Sequence, residues 1–142
     1  MRTSFRKNER GAALLEAAIT IPLLLLISVA IFEFGRAYQT WQVLTNAARE
    51  GARVAILMET TDTVVQNTVK AYMQSGRLPN ASTAKVDVVR NVPMGSSTAS
   101  SVTVNYPFQF IVLNPVARLV SSSSKVGNAL TLQAVVLMRN EG

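Results

Sequence analysis

Glu16 is the residue whose placement most demands a chemical explanation. Ala12, Ala13, Leu14 and Leu15 precede it, and the sixteen residues after it, 17–32, carry no charge until Glu33. A carboxylate inside such a run either loses its charge or pairs with a cation. In a bilayer, leaving it charged and unpaired costs at least about 2.5–3.5 kcal/mol. Few other side chains compete for a chemical role. The 142 residues include no histidine and no cysteine. That excludes imidazole bases and ligands, the Ser-His-Asp triad, thiolate metal sites, disulfides and cysteine nucleophiles. Asp62 and Asp87 fall on different segments without an evident partner. No glycine-rich phosphate loop and no metal-spaced carboxylate cluster occurs. The residues point away from an enzyme, a metal site and any cofactor.

The elements around Glu16 give it a setting. Residues 17–32 span roughly 24 Å as a helix, short of a hydrocarbon core of roughly 30 Å. Extending back through Glu16 to Ala12 gives 21 residues and roughly 31 Å, a full span with Glu16 inside it. Ahead of it, Arg2, Arg6, Lys7 and Arg10 stand against Glu9, so half of the net charge of +6 sits in the first eleven residues. Cations before a span and a carboxylate after it place the N-terminus in the cytoplasm and the rest outside the membrane. The basic balance is therefore a membrane-orientation signal, and no nucleic acid is expected. Pro22, mid-span, cannot donate to the carbonyl of Ala18, so a kink or loosened turn is expected there. With 49% hydrophobic residues the rest of the chain is no disordered tail.

Beyond the span the helical pattern continues. Phe34, Tyr38, Trp41, Leu44 and Ala48 recur at spacings of three and four. Small residues follow, with Ala47, Gly51 and Ala55 four apart, as are Ala48 and Ala52, a spacing that lets another backbone approach closely. One helix over residues 12–58 is expected, amphipathic in its second half. For Phe34, Tyr38 and Trp41, packing on the globular domain is favoured over contact between subunits. For the small-residue face, burial against the sheet is favoured over a dimer seam. Arg36, Arg49 and Arg53 are read as solvated or paired with Glu33 and Glu50.

A second helix is expected over residues 62–75, with Asp62 as N-cap and Gly76 as the C′ residue. The period then changes to two. Residues 85–90, 101–108 and 130–139 read as strands with one buried face each. Pro107 ends the second or sits at an edge. Residues 91–101 and 114–128, the latter holding Ser121 to Ser124, read as exposed loops. The fold class is α+β: a long helix, a short helix and a small, mostly antiparallel three-stranded sheet that buries its apolar face on the amphipathic half of the long helix.

The segment Arg10-Gly11-Ala12-Ala13-Leu14-Leu15-Glu16 resembles the class III signal of type IV prepilins: a basic leader, a glycine, then a glutamate five residues on, opening an apolar helix. The continuation EAAITIPLLLLISVAIFEFGRAYQTWQVLTNAAREGARVA resembles the opening of TadE-like minor pilins (pseudopilins) of Tad/Flp pilus systems, and VTVNYPF and LMRNE resemble the C-terminal half of that family. Flp major pilins carry Glu-Tyr after the cleavage site and are far shorter, whereas Ala17 follows Glu16 here. The resemblance therefore implies a minor subunit with a pilin-like fold, TadE-like, in a general layout that TadF-like proteins share.

The resemblance also implies a leader over residues 1–11, a transmembrane segment over 12–33 and an extracytoplasmic domain over 34–142. Prepilin peptidase would cut between Gly11 and Ala12, and Glu16 would neutralise the new amine, commonly that of a neighbouring subunit. The implied partners are the peptidase, TadF-like minor pilins, the Flp-type major pilin, the inner-membrane assembly platform and membrane lipid. On the residues alone two other fates stay open. The segment can be a permanent signal anchor carrying a binding or adhesin domain, or a secretory signal cut after Ser28-Val29-Ala30.

Overall fold

The computed structural model describes residues 5–57, 59–120 and 128–140, with the side chains of 5–9 and 120 left aside. In chain order the elements are α1 (Phe5–Ala55), α2 (Asp62–Ser75), a 3-10 turn (Ala81–Thr83), β1 (Lys85–Met94), β2 (Ser97–Phe108), α3 (Leu113–Val120) and β3 (Leu130–Arg139). The architecture is α+β, with a three-stranded antiparallel sheet in the order β1-β2-β3.

At about 1.5 Å per residue, the 51-residue α1 is roughly 77 Å long. It starts seven residues before the expected position and ends at Ala55. The early start follows from good helix formers in the basic segment, and Gly11, interior to the helix, does not interrupt it. Pro22 also lies inside α1 without ending it. The first half of α1 is bare: Leu14, Leu15, Ile19, Leu25, Ile31 and Phe32 are all more than half exposed. The second half is built into the domain. Thr40, Leu44, Ala47, Ala48, Ala52 and Ala55 are buried, an i, i+4, i+7 stripe that meets α2 and the sheet.

On the sheet, the rows Val86–Val104–Ala134 and Val88–Val102–Val136 and the pair Tyr106–Leu132 all belong to the core. Val65, Val69 and Met73 of α2 close the same core and have no exposed surface. At Gly51 α1 packs on α2 and the sheet with no room for a side chain. A Cβ there would stand 2.4 Å from Val69 Cγ2, 3.4 Å from Val102 Cγ1 and 3.6 Å from Val65 Cγ1.

Several expectations are corrected. Asp62 is the first residue of α2, and Thr61 is its N-cap; the Asp62 carboxylate is drawn away by Arg90. Gly76 follows α2 at φ −73°, and the left-handed residue is Arg77 at φ 58°. What Gly76 supplies is room, since a Cβ there would lie 2.6 Å from Val43 Cγ1. Residues 91–101 are not a loop but the tip of a long hairpin turning at Gly95-Ser96, with a register shift between Val89 and Val92 that Asn91 absorbs at φ 57°. Pro107 sits in the central strand, two positions past the end of the pairing with β1, which stops at Lys85 and Asn105. That flank of β2 has no ladder there, so the missing donor costs nothing. The segment read as a loop over 114–128 begins with α3; Ser121 to Ser124 lie outside the described residues.

Candidate functional site

The residues proposed for processing lie along the bare half of α1. Arg10, Gly11, Ala12 and Glu16 are all exposed. Arg2 lies outside the described residues, and Arg6 and Lys7 are placed by their helical backbone alone. Nothing approaches within 4 Å of a Cβ built on Gly11, so packing within this chain does not require a glycine there. A glycine inside a helix costs about 0.8–1.0 kcal/mol relative to alanine. Ala12 and Glu16 are four residues apart, one above the other on the same helical face. Glu16 makes no ion pair among the described residues.

Further along α1 the sequence-derived packing residues divide. Ala47, Ala48, Gly51 and Ala55 lie in the core. Phe34, Tyr38 and Trp41 stay outside the buried core, 62%, 62% and 41% exposed. Tyr38 and Trp41 touch each other, with ring centroids 6.2 Å apart, and Phe34 meets Phe110 edge-on at 5.7 Å. The reason is angular. The small residues and Leu44 define the stripe facing α2 and the sheet, and the aromatic stripe is rotated off it.

Two polar clusters hold the domain onto α1. The first is centred on Glu33, which the sequence marks as the end of the apolar run and as a partner for a nearby arginine. Its side chain is 5% exposed. Oε1 accepts the Ile111 and Val112 N–H groups, both at 2.9 Å, and Oε2 accepts Ile111 N–H at 3.1 Å. Arg36 Nη2 donates to Oε2 at 3.1 Å and to the Gln109 carbonyl at 2.5 Å. The Arg36 guanidinium lies 4.5 Å from the Phe108 ring centroid, and Phe108 stacks edge-on with Phe110 at 5.2 Å. Glu33 thus supplies the acceptor that the turn ahead of α3 lacks, a cap delivered from another element. Nearby, the Tyr106 hydroxyl donates to the Pro79 carbonyl, and burial pushes the phenol up from its usual pKa, with the Arg36 charge opposing.

The second cluster is Arg90 of β1. Its Nε meets Asp62 Oδ1 at 2.9 Å, Nη1 the Ala55 carbonyl at 2.8 Å and Nη2 the Thr60 carbonyl at 2.6 Å. One fork therefore satisfies the C-terminus of α1, the α1–α2 connection and the start of α2. Arg90→Ala is expected to cost about 2 kcal/mol, since two carbonyls and a carboxylate lose charge-assisted bonds. Thermal unfolding of the full chain in detergent checks this; a melting temperature equal to wild type contradicts it. The pairs Arg36–Glu33 and Arg53–Glu50, at 3.1 and 2.6 Å, are those the spacing suggested, while Arg49 donates to Asn46.

No curated protein and no solved structure matches the chain. The likeness read at VTVNYPF and LMRNE lies beyond the stretch that a family comparison covers. That stretch begins at Gly11 and takes in the bare apolar half of α1 and most of the small-residue face. The family model described as TadE-like protein matches residues 11–53, and over that segment the chain is similar to that family, which is consistent with a protein of the Tad pilus system.

Proposed function

We propose that the chain is a minor pilin, or pseudopilin, of a Tad pilus, cut after Gly11 by prepilin peptidase and then drawn into pilus assembly or its initiation. The observation that carries the reading is the exposed Gly11–Glu16 pair at the head of a bare apolar helix. A glycine that this chain's own packing does not need, and that costs helix stability, fits a peptidase that needs close access to the backbone. Cutting there removes Arg2, Arg6, Lys7 and Arg10 and frees the amine of Ala12. That amine is one helical turn from Glu16 in the same subunit and open to the Glu16 of another. Pairing turns a costly intramembrane carboxylate into a register device between subunits.

In this reading the apolar helix serves first as a membrane anchor and then as a packing surface among pilus helices. The N-terminus faces the cytoplasm and the domain lies outside. The partners are the peptidase, a TadF-like minor pilin, the Flp-type major pilin and the inner-membrane platform. The role is structural, without catalysis.

The test is the intact mass and N-terminal sequence of the native protein from purified membranes. A start at Ala12 is expected. A start at Ile31 means a secreted domain, and an uncut chain in cells with active prepilin peptidase means a permanently anchored binding protein; either overturns the reading. Gly11→Leu is expected to abolish processing, seen as retention of the leader mass. Glu16→Ala is expected to leave processing and membrane insertion intact and to reduce incorporation into pilus fractions at least several-fold; normal piliation contradicts the role of Glu16.

A further inference from the structure

We infer that α3 is a membrane-surface element, with Val112, Val116 and Leu119 turned toward the lipid at the outer face of the bilayer. The inference rests on the reading of residues 12–33 as the membrane span. Counting roughly 31 Å from Ala12 puts the outer edge of the hydrocarbon at Phe32. Glu33, the next residue, holds the backbone of Ile111 and Val112 at 2.9–3.1 Å. The start of α3 is therefore pinned at the level where the bilayer's apolar core ends.

Both ends of the connection lie at one end of the sheet. The connection leaves β2 at Phe108 and enters β3 at Leu130, and these two residues are register partners. The packing of α3 is chiefly on α1, and the face formed by Val112, Val116 and Leu119 stays exposed among the described residues.

That face is apolar. Val112, Val116 and Leu119 recur at i, i+4 and i+7, and Leu119 is 87% exposed; Ile111 is exposed beside them. Ile31, Phe32 and Phe34 of α1 are bare as well, and Phe34 touches Phe110, two residues before Val112. A short helix with one apolar face, tied at its start to the residue that follows the span, matches the chemistry of an interfacial lipid-facing helix. The lipid surface is the occupant because Glu33, the residue that ends the span, holds the start of this face.

The absence of cysteine makes the test direct, since a single introduced thiol is the only one to label. Leu24→Cys, Ser96→Cys and Leu119→Cys in the full chain are each spin-labelled and placed in nanodiscs of phosphatidylethanolamine and phosphatidylglycerol. Collisions with oxygen, which concentrates in lipid, are compared with collisions with a water-soluble nickel chelate. Leu24 reports the span, and Ser96, at the far turn of the β1–β2 hairpin, reports water. The oxygen-to-nickel ratio at 119 is expected to lie severalfold above that at 96 and toward that at 24. A ratio at 119 equal to that at 96 overturns the inference while leaving the span in place. A label at 119 shielded from both colliders means a protein covers the face and overturns it as well. A label at 24 as open to nickel as that at 96 overturns the span reading and the inference together.

Discussion

Gly51→Val is expected to cost about 3 kcal/mol and to lower the melting temperature of the full chain in detergent by more than about 10 °C. The new Cβ would start 2.4 Å from Val69 Cγ2, with Val102 and Val65 just behind it. None of these three valines has any exposed surface. A close-packed interior offers no empty volume to yield, so α1 and α2 must separate. Separation opens the whole row of Ala47, Ala48 and Ala52 against the sheet. Gly35→Ala is the matched control: its Cβ meets nothing within 4 Å, and gaining alanine's helix propensity is worth up to about 1 kcal/mol. A Gly51→Val chain that melts with wild type would mean that α1 does not press on α2 at this point.

Glu33→Ala is expected to be comparably severe, at about 3 kcal/mol, but to act at the other end of the domain. It strips the acceptor from two part-buried backbone N–H groups and leaves the Arg36 guanidinium without its carboxylate. Losing one side of a buried charged pair costs about 3–5 kcal/mol when neither partner reaches water; Arg36 is one-third exposed, which holds the loss to the lower end. The local signature distinguishes this from general destabilisation. Amide exchange at Ile111 and Val112 is expected to accelerate well before that of Val102 and Val104. Uniform acceleration across β2 would show that Glu33 supports the core as a whole and not the turn ahead of α3. Glu33→Gln keeps one acceptor oxygen and is expected to recover part of the loss.

What the residues revealed beforehand, and what they hid, divides by the range of the interaction. The ends of α2 were legible because apolar spacing and a following glycine are local signals, and β3 was legible from unbroken alternation. The hairpin tip was hidden by Pro93, Gly95 and the serines, whose turn chemistry is real but is confined in the structure to Gly95-Ser96 and the bulge at Asn91. The eight residues of α3 were hidden by Pro115 and by their brevity, and because Glu33, 78 residues from Ile111, supplies acceptors for the turn ahead of them. No spacing rule connects a glutamate to backbone N–H groups so distant. The same limit applies to Tyr38 and Trp41, which stay exposed, whereas Phe34 does pack on Phe110 of the domain. Two apolar stripes compete on α1, and the sheet selects the one whose small side chains let it approach. By contrast, the roles proposed for the Gly11–Glu16 pair and the span rest on position and charge alone, since neither depends on contacts with the rest of the fold.

The placement of Arg90 and Glu33 has a mechanical consequence. A subunit drawn by its N-terminal helix is loaded along the helix axis, and the domain can lag only by sliding along that axis. Glu33 grips the near end of the domain and Arg90 holds the Ala55 carbonyl at the far end, with the packed row from Thr40 to Ala55 between them. Sliding would have to break all of these together instead of one after another. The domain is thus fastened in shear, the loading geometry in which a short sheet and a helix resist extraction best.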